Sequence, residues 1–151
     1  MLKIFIDSNI FLFGYRINES NSFILLENID GKLIQPVVSR GIIEEVRIRA
    51  KKLEGKDTAS LIIMNILTLP NISIVQDHEI MPLLHEYDDF VLDKSDLPHI
   101  CAYFAGNCEY FVTNNRKLTQ QRIKDKVSFI NPKEFVDNIL KLKSFDTPKG
   151  I

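Results

Sequence analysis

Residues 2–9 read Leu2-Lys3-Ile4-Phe5-Ile6-Asp7-Ser8-Asn9. A short apolar run rich in strand formers stops abruptly at an aspartate. A strand exposed on one face alternates apolar with polar residues, whereas a nearly solid apolar run suits a parallel sheet covered on both faces. The pattern recurs along the chain. Leu33 to Val38 reads as a second strand, in which Pro36 lacks an N–H and argues for a strand end or edge. Ile72–Val75, Tyr110–Thr113 and Val127–Ile130 read as the third, fourth and fifth.

Helical patterns lie between these runs. One extends from near Glu19 to Asn28 with Phe23, Ile24 and Leu26 inward, and Asp30-Gly31 breaks the chain after it. Ser39 is placed to N-cap a helix through about Leu53. Asp57 to Leu69 is apolar almost all round and ends before Pro70. Glu79 to about Asp89 reads as an acidic helix. Another runs from Ser95 or Asp96 to Gly106, with Pro98 in its tolerated first turn. Asn131-Pro132 opens a last helix whose apolar face is Phe135, Val136, Ile139 and Leu140. Strands alternating with helices predict a three-layer α/β/α sandwich with a central, mainly parallel sheet of about five strands. At 151 residues the chain is expected to form one domain over 1–143, followed by a flexible tail over 144–151.

A hydrophobic fraction of 45% and a charged fraction of 26% are ordinary for a soluble globular protein. No apolar run is long enough to cross a bilayer, and the apolar part of the N-terminus is too short for a signal peptide. Two cysteines, Cys101 and Cys108, make no disulfide framework; buried small hydrophobes in a reduced, cytoplasmic protein are expected. His78, His85 and His99 form no zinc pattern. The net charge of −1 announces no polyanionic partner, but the distribution is uneven. Segment 46–56 holds Arg47, Arg49, Lys51, Lys52 and Lys56 against Glu54, and segment 114–126 is similarly basic. Segment 77–96 is strongly acidic. Any one of these charges is most simply a solvated helix face.

In an open parallel sheet, ligands bind outside the carboxyl ends of the strands. Asp7-Ser8-Asn9 follows the first strand, and Ser39 with a helix carrying Glu44 and Glu45 follows the second. Thr113-Asn114-Asn115 follows the fourth, and the helix feeding it opens at Asp93-Lys94-Ser95-Asp96. Singly, each of these is a turn or cap residue. Together they supply the oxygen donors that hard divalent cations take.

These segments, in this order, resemble the PIN domain, in particular the small single-domain ribonucleases that include VapC-type toxins. Phe5 to Phe11 is similar to the family's opening strand with its aspartate and following asparagine, and Pro36 to Val46 to its second motif, whose register selects Glu45 over Glu44. Asp93 to Asp96 with Ile100 and Ala102 resembles the third, Tyr110 to Leu118 the fourth, and Phe129 to Phe135 the closing strand and helix. The resemblance implies metal-assisted hydrolysis of RNA phosphodiesters, with Asp7, Glu45 and Asp96, and Asp93 as accessory, holding Mg²⁺ or Mn²⁺. It implies support from Asn9 and Thr113, a role for Asn115 on waters or phosphate, and a phosphate path along Arg40, Arg47 and Arg116. A cognate antitoxin is its implied partner. The Asp57–Leu69 helix, apolar almost all round, is either buried on most sides within the domain or meets another subunit; the resemblance points to pairing, and a homodimer with some of Ile62, Ile63, Ile66 and Leu67 at or near the interface is expected. Asn115 departs from the aspartate common at that place, which removes one negative charge and leaves open an RNA-binding or regulatory PIN fold with weak or lost nuclease activity.

Overall fold

The computed structural model describes residues 1–119 and 122–146. Its sheet comprises β1 (Leu2–Ile6), β2 (Ile34–Ser39), β3 (Ser73–Val75), β4 (Tyr110–Val112) and β5 (Phe129–Ile130). The strands lie in the order β3-β2-β1-β4-β5 and every ladder is parallel. Around it pack α1 (Ser8–Gly14), α2 (Asn21–Glu27), α3 (Arg40–Glu54), α4 (Lys56–Leu67), α5 (Asp77–Tyr87), α6 (Leu97–Ala105), the short α7 (Arg116–Thr119) and α8 (Pro132–Glu134). The last continues as a wider helical turn over Phe135–Leu140. This is the expected α/β/α arrangement.

Consecutive residues Ile4, Phe5 and Ile6 are fully buried, as are the pairs Val37–Val38 and Phe111–Val112. Neighbours along a strand point to opposite faces, so both faces of the sheet are covered. Phe5 and Phe111 meet across β1 and β4 with ring centroids 4.8 Å apart, and Phe129 of β5 continues the stack against Phe111 at 5.2 Å. Parallel strands need crossovers, and each crossover returns a helix that starts at the carboxyl edge of the sheet. Helix N-termini and strand ends therefore gather along one rim.

Several local expectations change. The stretch after Asp7, read as a strand end alone, is α1, and Asp7 caps it by accepting from the Ser8 N–H at 2.8 Å. Pro36 is neither at a strand end nor on an edge strand, because β2 has β1 and β3 on its two sides. The missing N–H is tolerated there because the β3 ladder begins only opposite Val37, leaving Pro36 with β1 alone as neighbour. In α2 the buried positions are Asn21, Ser22, Leu25 and Leu26, while Phe23 and Ile24 are half-buried. Gly55, at φ +90°, makes the turn between α3 and α4, a conformation that costs glycine little.

Of the C-terminal tail, Phe145 is bound to Asn21 through both main-chain groups: its N–H donates to Asn21 Oδ1 at 2.7 Å and its carbonyl accepts from Asn21 Nδ2 at 3.1 Å. The remaining tail, 147–151, lies outside the described residues. Among the described residues no helix is long and apolar enough to cross a membrane.

Candidate active site

The strand order reverses between β1 and β4, since chain connections leave β1 toward β2 on one side and return to β4 on the other. Such a switch point opens a crevice at the carboxyl rim. Asp7 stands at the end of β1, and Thr113 directly follows β4 across the crevice. Thr113 Oγ1 donates to Asp7 Oδ2 at 2.6 Å, while Asp7 Oδ1 accepts from the Ser8 N–H. Asn9, on the first turn of α1, places Nδ2 at 3.4 Å from Asp7 Oδ2, and its Oδ1 accepts from the Asn114 N–H at 3.2 Å. This net fixes the ends of β1 and β4 against each other and sets the orientation of the Asp7 carboxylate.

A cleft of about 190 Å³ is lined by Asp7, Ser8, Asn9, Glu45, Arg49, Ser95, Asp96, His99 and Asn115. Three acids from distant parts of the chain thus share one cavity. Asp7 comes from the residue between β1 and α1, Glu45 from the second turn of α3, and Asp96 from the residue before α6. Ser39 positions Glu45 by capping α3, accepting from the Ile42 N–H at 3.1 Å. Glu44, its neighbour, is exposed and paired with Arg47.

Glu45 is held on both oxygens. Ser8 Oγ donates to Oε1 at 2.7 Å, Arg49 stands 3.2 Å from Oε1, and His99 Nε2 lies 2.9 Å from Oε2. The His99 bond, assisted by Ser8 and Arg49 and opposed by partial burial, lowers the Glu45 pKa to about 2. An ionised carboxylate only accepts, so His99 Nε2 carries the proton in this bond. Burial works against charge on His99, but the Glu45 bond and the nearby Asp7 and Asp96 outweigh it and raise its pKa. Asp7 is displaced the other way from Glu45: desolvation raises its pKa despite the donors from Thr113 and Ser8.

Neither His99 nor Arg49 was anticipated as part of the site. Both could have been found by helical spacing: His99 is three residues beyond Asp96 and Arg49 four beyond Glu45, so each falls on the same face as its acid. Asp93, expected as an accessory ligand, is not among the residues lining the cleft. It is exposed, and its Oδ1 closes a turn by accepting from Ser95 N at 3.0 Å and Ser95 Oγ at 2.7 Å. Arg40 is exposed, 3.8 Å from Asp77, and Arg47 pairs with Glu44; neither lines the cleft. Arg116 lines a neighbouring groove. Asn115 lines both cavities, and its Oδ1 accepts from the Lys117 N–H at 3.1 Å, capping α7.

The profile of the PIN domain family matches residues 3–117, from β1 to the first turn of α7. The chain belongs to the PIN-domain family. No curated protein sequence matches it. The fold is similar to VapBC-1 from nontypeable Haemophilus influenzae, with a TM-score of 0.66 and 15% identity over 87% of this chain and 98% of that one. It is also similar to VapBC2 from Rickettsia felis bound to a promoter DNA fragment, with a TM-score of 0.63 and 17% identity over 86% and 98% of the two chains. Mycobacterium tuberculosis VapC20, a Sarcin-Ricin loop cleaving toxin, matches with a TM-score of 0.54 and 12% identity over 72% and 86%. At these identities the likeness is one of fold.

The residues of this PIN domain fit a hard cation in kind. Its three acids are oxygen donors in one cleft, and burial raises the Asp7 pKa, a penalty that a bound cation would offset. They are not gathered in advance, for among the described residues no three His, Cys, Asp or Glu side chains form a ready ligand cluster. Glu45, held by Ser8, Arg49 and His99, would have to exchange one of these partners for a metal.

Proposed function

We propose that this PIN domain is a divalent-metal-dependent endoribonuclease that hydrolyses RNA phosphodiester bonds. The observation that carries the reading is the meeting of Asp7, Glu45 and Asp96 in one cleft at the switch point of the sheet. These three residues would hold Mg²⁺ or Mn²⁺, which supplies an activated water and charge stabilisation at the scissile phosphate. Thr113 and Asn9 orient Asp7. Ser8 and His99 orient Glu45 from opposite sides. Arg49 brings positive charge to the same cleft and is placed to attract the phosphate, a role that Arg40 and Arg47 do not share from their outer positions. Asn115 presents a neutral amide to the same cleft, placed to hold a water or the scissile phosphate.

The likeness of the fold to toxin–antitoxin proteins supports the further reading that the chain is the toxin of such a pair, with a cognate antitoxin as partner. The exposed Leu61, Met64 and Leu67 of α4 support a second copy of the chain as a further partner. A reading without catalysis rests on a different observation: Glu45 is fully engaged and no ligand cluster stands ready. Labelled single-stranded RNA separates the two. Cleavage that requires Mn²⁺ or Mg²⁺, stops with EDTA and disappears in Asp7→Asn and Asp96→Asn supports the nuclease. RNA retained intact by both wild type and variants, at all metal concentrations, leaves the binding protein.

A further inference from the structure

Beside the acid cleft, over the carboxyl ends of β4 and β5, runs a groove of about 650 Å³, within the size range of small-ligand sites. The two cavities share Asn115. A chain with its reacting phosphate at Asp7 would therefore lay the adjoining nucleotide in this groove. Its lining combines the apolar Phe129 with the basic Lys124 and a series of amides, Asn114, Asn115 and Asn131.

The amides differ in what they already do. Asn115 Oδ1 is committed to the start of α7. Asn131 caps α8 through Oδ1, which accepts from the Glu134 N–H at 2.8 Å, and its Nδ2 donates to Glu134 Oε1 at 2.6 Å. Among the described residues, Asn114 is anchored by its main chain alone, which donates to Asn9 Oδ1. Both of its side-chain polar atoms are buried and, among the described residues, have no hydrogen-bond partner. A buried amide left wholly unpaired is costly and rare. The residue lines the groove next to the acid cleft, so a ligand there that turned the amide outward would satisfy it.

We propose that this groove is a base-selective subsite: it takes one unpaired nucleotide next to the scissile phosphate, and the Asn114 amide pairs with the edge of its base. The inference rests on the nuclease reading for the position of the phosphate. Single-stranded RNA is recognised through splayed bases, held on aromatic side chains and hydrogen-bonded along their edges. Phe129 supplies the aromatic, Asn114 the edge contact and Lys124 the charge for the backbone. An amide carries both donors and an acceptor, so it can distinguish bases that a single charge cannot.

The test uses a random-sequence single-stranded RNA pool and the full chain, with two readouts. The pool is selected by binding in EDTA and, separately, cleaved in Mn²⁺; bound sequences and new ends are then sequenced. Wild type should favour one base, or one pair of bases, at a fixed offset by roughly 10-fold, the scale of one amide–base contact. Asn114→Ala breaks no side-chain hydrogen bond and should flatten that one position. Asn114→Asp keeps the shape but removes the donors, and should move the preference toward bases that present amino groups. Lys124→Ala should weaken binding evenly across sequences. An Asn114-dependent preference in EDTA without cleavage in Mn²⁺ keeps the subsite and removes the nuclease reading. Identical base profiles for wild type and both Asn114 variants overturn the subsite. So does a wild-type pool with no base preference in either readout, the result expected if the groove holds a peptide instead.

Discussion

Burial holds the Asp7 carboxyl above its ordinary range although Thr113 and Ser8 both donate to it. A carboxyl raised in the folded state stabilises the fold fully below its unfolded value of 3.8, and that contribution is lost as pH rises through the folded value. Glu45 has the opposite sign: its folded pKa of about 2 lies below the ordinary 4.5, so its contribution is present above 4.5 and lost as pH falls through about 2. At neutral pH without metal, Asp7 is thus the strained member of the pair. Asp7→Asn should melt at the same temperature as wild type or a few degrees higher in EDTA, with the gain growing from pH 4 to pH 7. Added Mn²⁺ should stabilise wild type and leave the variant unchanged, because only wild type retains the full ligand set. A large loss of melting temperature for the variant in EDTA would instead mark Asp7 as a structural acceptor for Thr113. Asn115 allows the complementary change. Its Oδ1 caps α7, a duty that aspartate performs equally well, and it lines the acid cleft. Asn115→Asp should therefore keep the fold and tighten Mn²⁺ binding by about 10-fold, the factor given by 1.4 kcal/mol. Calorimetry with unchanged affinity would mean that the side chain stays turned to α7 and away from the cation.

The segment from β2 into α3 carries Glu45 to the cleft, and Ser39 governs that junction from a fully covered position. Ser39→Ala removes the acceptor for the Ile42 N–H in a place that water does not reach, so a loss of about 1 kcal/mol is expected, read by chemical denaturation. Cleavage should fall with it, since the first turn of α3 sets the height of Glu45. A melting temperature unchanged within error would show that the cap is dispensable. This junction was legible in the sequence because a solid apolar strand, a capping serine and a helical period follow one another without a gap. The same holds for β1 with Asp7 and for β4 with Thr113. The α1 helix was not legible: Asp7-Ser8-Asn9 read as a strand end, and the seven residues of α1 are too few to show a helical period. Pro36 misled for a related reason, since its effect depends on where β3 begins, a distant fact. The bond between His99 and Glu45 joins residues 54 apart in the chain. Local pattern could place His99 beside Asp96 but could not name its partner.

On the scale of the whole molecule, α3 and α4 form a hairpin whose outer surface combines charge and apolar exposure. Ala59, Ile62 and Ile66 of α4 are buried in the domain's own core, so two of the four residues expected at a subunit interface, Ile62 and Ile66, are instead internal. The helix still exposes Leu61 and Met64 at 60% each and Leu67 at 48%. Nearby, Arg47, Lys51 and Lys56 border a cleft of about 310 Å³ whose apolar wall includes half-buried Ile63. Large apolar side chains concentrated on one helix face, rimmed by charge, mark an interaction surface more often than solvent-facing chance. A second copy is the occupant that the chain itself can supply, and a two-fold pairing through α4 would bring two sets of α3 basic residues onto one particle. A long polyanion would then meet a broader positive field than either copy presents, and its binding should weaken steeply with salt. The prediction is a homodimer at micromolar concentration, read by sedimentation. A Leu61→Glu, Met64→Glu double variant should sediment as a monomer while melting within a few degrees of wild type, because neither side chain belongs to the core. A wild type that remains monomeric across that range would remove α4 as a subunit interface and leave its apolar face to a partner of another kind.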